Sequence, residues 1–165
     1  KFGADTSFLR TQDMSEDFIG ENELLKYILE EFVKRNEIFD IVVSIKETYP
    51  FRNYKIIDQM IKKLFKEKKD TIIAVKQERK SLWKLSNNLG LQPFEQNFVP
   101  RKLKTQSSYL SLAGLCYVTR ADVINNKNIF NENIGFFKIK NIIETLEYSE
   151  LKYSKKNLNK LLNIF

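Results

Sequence analysis

Two stretches of the chain repeat one arrangement of apolar and polar positions. In "ENELLKYILEEFVKRN", Leu24, Leu25, Ile28, Leu29, Phe32 and Val33 recur at steps of one and three, a single apolar stripe of helical period. In "NYKIIDQMIKKLFKEKK", Ile56, Ile57, Met60, Ile61, Leu64 and Phe65 repeat the stripe, and lysines fill the other side. Each predicted helix precedes a short apolar run, Ile38–Ile45 and Thr71–Val75, and neither run alternates strictly. Strands covered by helices on both faces read this way. Helix–strand–helix–strand predicts an α/β fold with right-handed parallel crossovers.

After Val75 the pattern changes. The segment from Lys76 to about Leu110 is polar, carries two of the three prolines and keeps no sustained period, so it is expected to leave the sheet as hairpins or extended arms. Trp83 within it is an interface candidate. Leu115–Thr119 and Ile134–Ile139 read as strands, with a short helix beginning near Arg120. Thr6–Leu9 is a further strand candidate, and Leu158, Leu161, Leu162 and Phe165 fall at helical spacing in the tail. A length of 165 residues suits one domain with a substantial core.

The run "FDIVVSIKETYPFR" (Phe39–Arg52) ends in an unusual way. A strand serving only the core has no need of Lys46, Thr48, Pro50 and Arg52 at its carboxyl end, and in open α/β sheets that edge is where ligands sit. Arg52 has two readings: a guanidinium fork for a ligand carboxylate, or a cap on the loop carbonyls of the strand–helix turn. Lys46 either pairs a phosphate or sugar acid or points to water. Pro50 shapes the turn and stops the strand.

Composition narrows the chemistry. The chain has no histidine, which excludes Ser-His-Asp, Cys-His and zinc–histidine mechanisms. Any metal would be held by carboxylates, which points to Mg²⁺ or Mn²⁺. The lone Cys116 lies among apolar neighbours and reads as a core thiol, consistent with a reduced, cytoplasmic setting. A net charge of +7 suits an anionic partner. The lysine-rich run Lys62–Lys69 reads as the outer face of a helix, and no nucleic-acid motif accompanies it. No apolar run approaches the roughly 18 residues of a membrane span. The five glycines are dispersed, so no P-loop or dinucleotide fingerprint is present. The aromatics Tyr109, Tyr117, Phe136 and Phe137 are expected in the core.

Four segments in order, "FGADTSFLRTQDMSED", "FDIVVSIKETYPFR", "GLCYVTRADVI" and "IGFFKI", resemble the cytidylyltransferases that make CMP-activated acid sugars, of the acylneuraminate (CMP-sialic acid synthetase) type. That family reads "GAEVPFLRP…TD", "LQPTSPLR", "NGAIYITR" and "IGPY", then a late "DIDTELD". The resemblance spans nearly the whole chain. It implies a three-layer α/β sandwich with a mixed, mostly parallel sheet of the nucleotide-diphospho-sugar transferase type, lacking the first β-α units and the Gly/Arg/Lys-rich loop that grips CTP. It implies CTP and an acidic sugar as ligands, Mg²⁺ as cofactor, a homodimer built through an arm at residues 76–110, and no nucleic-acid or membrane partner.

Carried over residue by residue, Thr48, Pro50 and Arg52 match the end of "PTSPLR", and Lys46 stands where the family has Gln. Glu47 and Tyr49 replace Pro and Ser. Arg101 and Gln106, in "PRKLKTQSSY", fall on the approach to the sugar pocket. The substrate-binding set implied is therefore Lys46, Thr48, Arg52, Arg101 and Gln106. Asp17 matches the Asp of "TD", but Leu146-Glu147-Tyr148-Ser149 stands where "DIDT" supplies metal ligands, with Glu144 or Glu147 as the substitutes in a shifted register. The expectation is a cytidylyltransferase chain incomplete for catalysis by itself. The alternative is a non-catalytic sugar- or nucleotide-binding or assembly domain of the same fold.

Overall fold

The computed structural model describes residues 3, 8–78, 82–87, 90–94, 108–126 and 128–140. Both predicted helices form where their stripes place them, as α1 (Glu21–Val33) and α2 (Lys55–Lys66). The strands are β1 (Ile41–Ser44), β2 (Thr71–Glu78), β3 (Trp83–Ser86), β4 (Gly90–Pro93), β5 (Ser108–Ser111), β6 (Tyr117–Arg120) and β7 (Ile134–Lys138). The short helix expected near Arg120 is α3 (Ala121–Asn126).

Five strands make one mixed sheet: β6 lies between β1 and β2, β5 continues the line of β6 along the same edge of β2, and β7 pairs the other edge of β2. β1, β2 and β7 run one way and β5 and β6 the other: β2–β7 is paired in parallel, and β1–β6, β2–β6 and β2–β5 are antiparallel. β1 and β2 are therefore codirectional, as the helix–strand pattern predicts, but β6 lies between them.

The period of two along each strand divides the apolar side chains between two cores. Ile41, Val43, Ile72, Ala74 and Val118 pack with Met60 and Leu64 of α2. Val42, Ile73 and Tyr117 pack with Leu25 and Leu29 of α1 and with Ala121 and Ile124 of α3. Helices thus cover both faces, giving three layers. On the α1/α3 face of the sheet, the Thr71 and Thr119 hydroxyls meet at 2.8 Å, and Thr71 also donates to the Ile129 carbonyl at 2.7 Å, so these buried polar groups are satisfied.

Three sequence expectations are corrected. Phe8 and Leu9 belong to no strand: the Phe8 ring packs edge-on against Phe32 at 5.3 Å, with the Arg35 guanidinium 5.0 Å from its centre, so side-chain packing rather than sheet pairing holds it. Tyr109 and Phe136 lie 38% and 46% exposed, not in the core; their rings stack at 5.1 Å, with the Lys138 and Lys63 ammonium groups beside them. The segment after Val75 leaves the sheet only in part. β2 continues to Glu78, β3 and β4 form a separate two-stranded sheet, and β5 returns to pair with β2. Thr6, Ser7, Arg101, Gln106, Glu144, Glu147 and the stripe at 158–165 lie outside the described residues.

Candidate functional site

β5 and β6 are one strand interrupted opposite Ala74. The Ala74 N–H donates to the Cys116 carbonyl at 3.0 Å and the Ala74 carbonyl accepts from the Leu112 N–H at 2.8 Å, while Leu112–Cys116 closes on itself through Leu115 N–H to Leu112 O at 2.9 Å. This bulge reaches over the carboxyl end of β1, where the chain turns toward α2. The Lys46 N–H donates to the Gly114 carbonyl at 2.8 Å. A Cβ on Gly114 would stand 3.0 Å from Tyr49 Cε2 and 3.5 Å from Thr48 Oγ1, so the close approach of bulge to turn favours glycine there.

Arg52 joins the two segments. Its Nε donates to the Leu115 carbonyl at 3.0 Å, and its Nη2 donates to the Lys46 carbonyl and, at 3.4 Å, to the Gly114 carbonyl. Of its two readings from sequence, the guanidinium takes the capping one. Its fork is directed at the main chain of the turn, which it holds in place. Tyr49 is 3% exposed and anchors the turn in the α2-side core. The neighbouring Cys116 thiol is buried, as expected, and burial pushes its pKa up to about 11 against the pull of the Arg52 charge.

Lys46 and Thr48 stand on the outer side of this frame, Thr48 half-buried and the Lys46 side chain about half exposed at 52%. The structure thus brings Lys46, Thr48 and Arg52 together on one turn. Asp17 is exposed in the turn preceding α1. Among the described residues, no group of three or more carboxylate, cysteine or histidine side chains is placed to hold a metal ion.

Sequence reasoning missed three residues at this edge. Because α1 runs back against β1, its first residue, Glu21, arrives beside the carboxyl end of the strand. The Ser44 hydroxyl donates to Glu21 Oε1 at 3.2 Å, and Lys46 Nζ lies 3.9 Å from Glu21 Oε2. Tyr117, paired with Ser44 in the sheet register, is fully buried; its hydroxyl lies beside Ser44 and Glu21 yet has no hydrogen-bond partner among the described residues, and burial holds its pKa well above the ordinary tyrosine range. The helix–strand order itself carries the signal for Glu21: an α/β connection returns a helix N-terminus to the carboxyl edge of the following strand.

A cavity of about 530 Å³ lies at the opposite edge, lined by Ile38, Phe39, Asp40, Ile41, Arg120 and Asp122 among others. Ile41 and Arg120 are cross-strand partners at the amino end of β1, so the length of that strand separates the cavity from the Lys46 turn. Arg120 there forms a fork with Asp122 at 3.0 and 2.8 Å, which neutralises the cation locally. At the carboxyl edge Lys46 is paired more loosely, 3.9 Å from Glu21 Oε2, with its side chain about half exposed.

No protein-family model matches the chain, and no curated protein matches it in sequence. Among solved structures, a CMP:2-keto-3-deoxy-manno-octonic acid synthetase complexed with CTP is similar, with a TM-score of 0.53 and 13% identity over 85% of this chain and 70% of that one. No helix among the described residues is long and apolar enough to cross a membrane. Element order, the mixed sheet and this likeness together establish a three-layer α/β fold similar to that of this synthetase.

Proposed function

We propose that the protein belongs to a nucleotidyltransferase that makes a CMP-activated acid sugar from CTP and an acylneuraminate-like sugar. The observation that carries this reading is the braced Lys46–Arg52 turn at the carboxyl edge of β1, in a fold whose solved counterpart was captured with CTP. The order of the four sequence segments supports the acylneuraminate class.

In such a transfer the sugar hydroxyl attacks the α-phosphorus of CTP in line. A new O–P bond forms, the bond from the α-phosphorus to the oxygen bridging to the β-phosphate breaks, pyrophosphate leaves and the hydroxyl proton is released to water. Positioning and charge neutralisation do most of the work. Lys46 supplies a cation at the edge, Thr48 a hydroxyl, and Arg52 positions both by fixing the turn. Arg101 and Gln106 complete the proposed sugar contacts. Mg²⁺ belongs to the reaction by resemblance, and no group of three or more described carboxylates is placed to hold it.

The test is calorimetry of CMP, CTP and N-acetylneuraminate against the 165-residue chain, with a pyrophosphate-release assay on the protein in its full reading frame. Binding of either nucleotide is the expected result, and the isolated chain is expected to release no pyrophosphate. Failure of both nucleotides to bind overturns the reading. A second reading, a non-catalytic binding or assembly domain, is favoured by Lys46, Glu47 and Tyr49 standing where the family has Gln, Pro and Ser. Binding without release from the full-length protein decides for it.

A homodimer in a cytoplasmic setting completes the proposal. On the β3–β4 hairpin, Trp83 pairs with Pro93 and Leu85 with Leu91, so one face is apolar; Trp83, Leu85 and Leu91 are 51, 78 and 66% exposed. A two-stranded ribbon with such a face is marginal alone and gains by packing on a second copy. Sedimentation is expected to give twice 19.6 kDa, and Leu85→Lys to give the monomer. A wild-type monomer at high concentration contradicts the dimer.

A further inference from the structure

The polar cluster at the β1 edge contains its own negative charge, directly beside the cation proposed to meet the ligand. Glu21 opens α1, where the helix dipole favours a carboxylate. Its Oε1 accepts from Ser44 at 3.2 Å, and its Oε2 stands 3.9 Å from Lys46 Nζ. The first contact is a hydrogen bond and the second a loose, partly exposed pairing of the kind that contributes little to stability. An anion reaching Lys46 must take the place of Oε2 and tolerate the carboxylate beside it.

The Tyr117 hydroxyl supplies the second half of the arrangement. It is fully buried, lies beside Ser44 and Glu21, and has no hydrogen-bond partner among the described residues. A buried donor without an acceptor is costly, and a carboxylate is the strongest acceptor available to it. A Glu21 that lets go of Lys46 therefore has somewhere to go. Glu21 thus stands between two donors, Lys46 on the open side and Tyr117 on the buried side, and an anion on Lys46 leaves the carboxylate to Ser44 and Tyr117.

We propose that Glu21 is an internal counter-ion for Lys46 that an anionic ligand displaces, and that it sets the anion affinity of this edge. The inference rests on the site reading above. The displacing group is an anionic oxygen, from a nucleotide phosphate or from a sugar carboxylate, and the experiment separates the two sources.

The measurement is calorimetric titration of the full chain with CMP, with N-acetylneuraminate and with uncharged cytidine, for the wild type, Glu21→Gln and Lys46→Ala. The glutamine keeps an oxygen for Ser44 and removes the charge. Glu21→Gln is expected to tighten the anion that uses Lys46 by about fivefold, the scale of one exposed ion pair, and to leave cytidine unchanged. Lys46→Ala is expected to weaken that same anion. Tightening confined to CMP identifies the phosphate as the displacing group; tightening confined to N-acetylneuraminate identifies the carboxylate. An unchanged or weakened anion in Glu21→Gln, with Lys46→Ala still weakening it, overturns the counter-ion inference and leaves the site reading intact. An equal change for cytidine also overturns it, because a structural role would move the neutral ligand too. Indifference of both anions to Lys46→Ala overturns the site reading itself.

Discussion

Arg52→Ala is expected to lower unfolding stability by about 2–4 kcal/mol, because the half-buried guanidinium makes charge-assisted bonds to main-chain carbonyls that no other described cation reaches. Its three acceptors, the carbonyls of Lys46, Gly114 and Leu115, belong to two segments far apart in sequence. Removing the side chain releases the bulge from the turn. Arg52→Lys keeps the charge but not the planar fork, and an ammonium replaces only part of the bonding. The lysine variant should therefore fall between wild type and alanine in urea midpoint. Equal midpoints for all three proteins would show that the bulge and turn hold together without this residue.

Leu64→Ala is expected to cost about 2–5 kcal/mol, the range for truncating a leucine in a closed core. Leu64 is 1% exposed, in a cluster with Met60, Ile72, Val118 and Cys116. Its neighbour Phe65, 62% exposed on the same helix, is the internal control: Phe65→Ala should change stability by less than about 1 kcal/mol. Urea denaturation of the two variants decides the point. Comparable losses would mean that the outer side of α2 is covered in solution.

These two sites differ in how well the sequence announced them. Leu64 was legible because a twelve-residue helix shows its stripe over three turns, and period alone separates Leu64 from the lysines around it. Strand ends were less legible. Ile38–Ile45 reads as one apolar run, yet pairing with β6 covers only Ile41–Ser44, and Ile38 and Ile45 are 82 and 48% exposed. The placement of β6 between β1 and β2 left no local mark, because a strand's partner is chosen by tertiary packing rather than by its own residues. The same holds for the 112–116 bulge, whose carbonyls decide where Arg52 points. Lys46 was legible as an edge cation from its position after the apolar run. Glu21 was not singled out, because a glutamate opening a helix is ordinary until the strand beside it is known. Tyr117 was read correctly as buried, but the place of its hydroxyl beside Ser44 and Glu21 is visible only in three dimensions.

On the proposed reading, the ligand edge of this fold is the Lys46–Arg52 turn and not the cavity at the other end of β1. Amide ¹H–¹⁵N spectra recorded through a CMP titration test it at residue resolution. The largest shifts are expected on Lys46, Thr48 and Gly114, with Ile41, Arg120 and Asp122 undisturbed. Shifts centred on Arg120 and Asp122, or a spectrum that saturating CMP leaves unchanged, would contradict it.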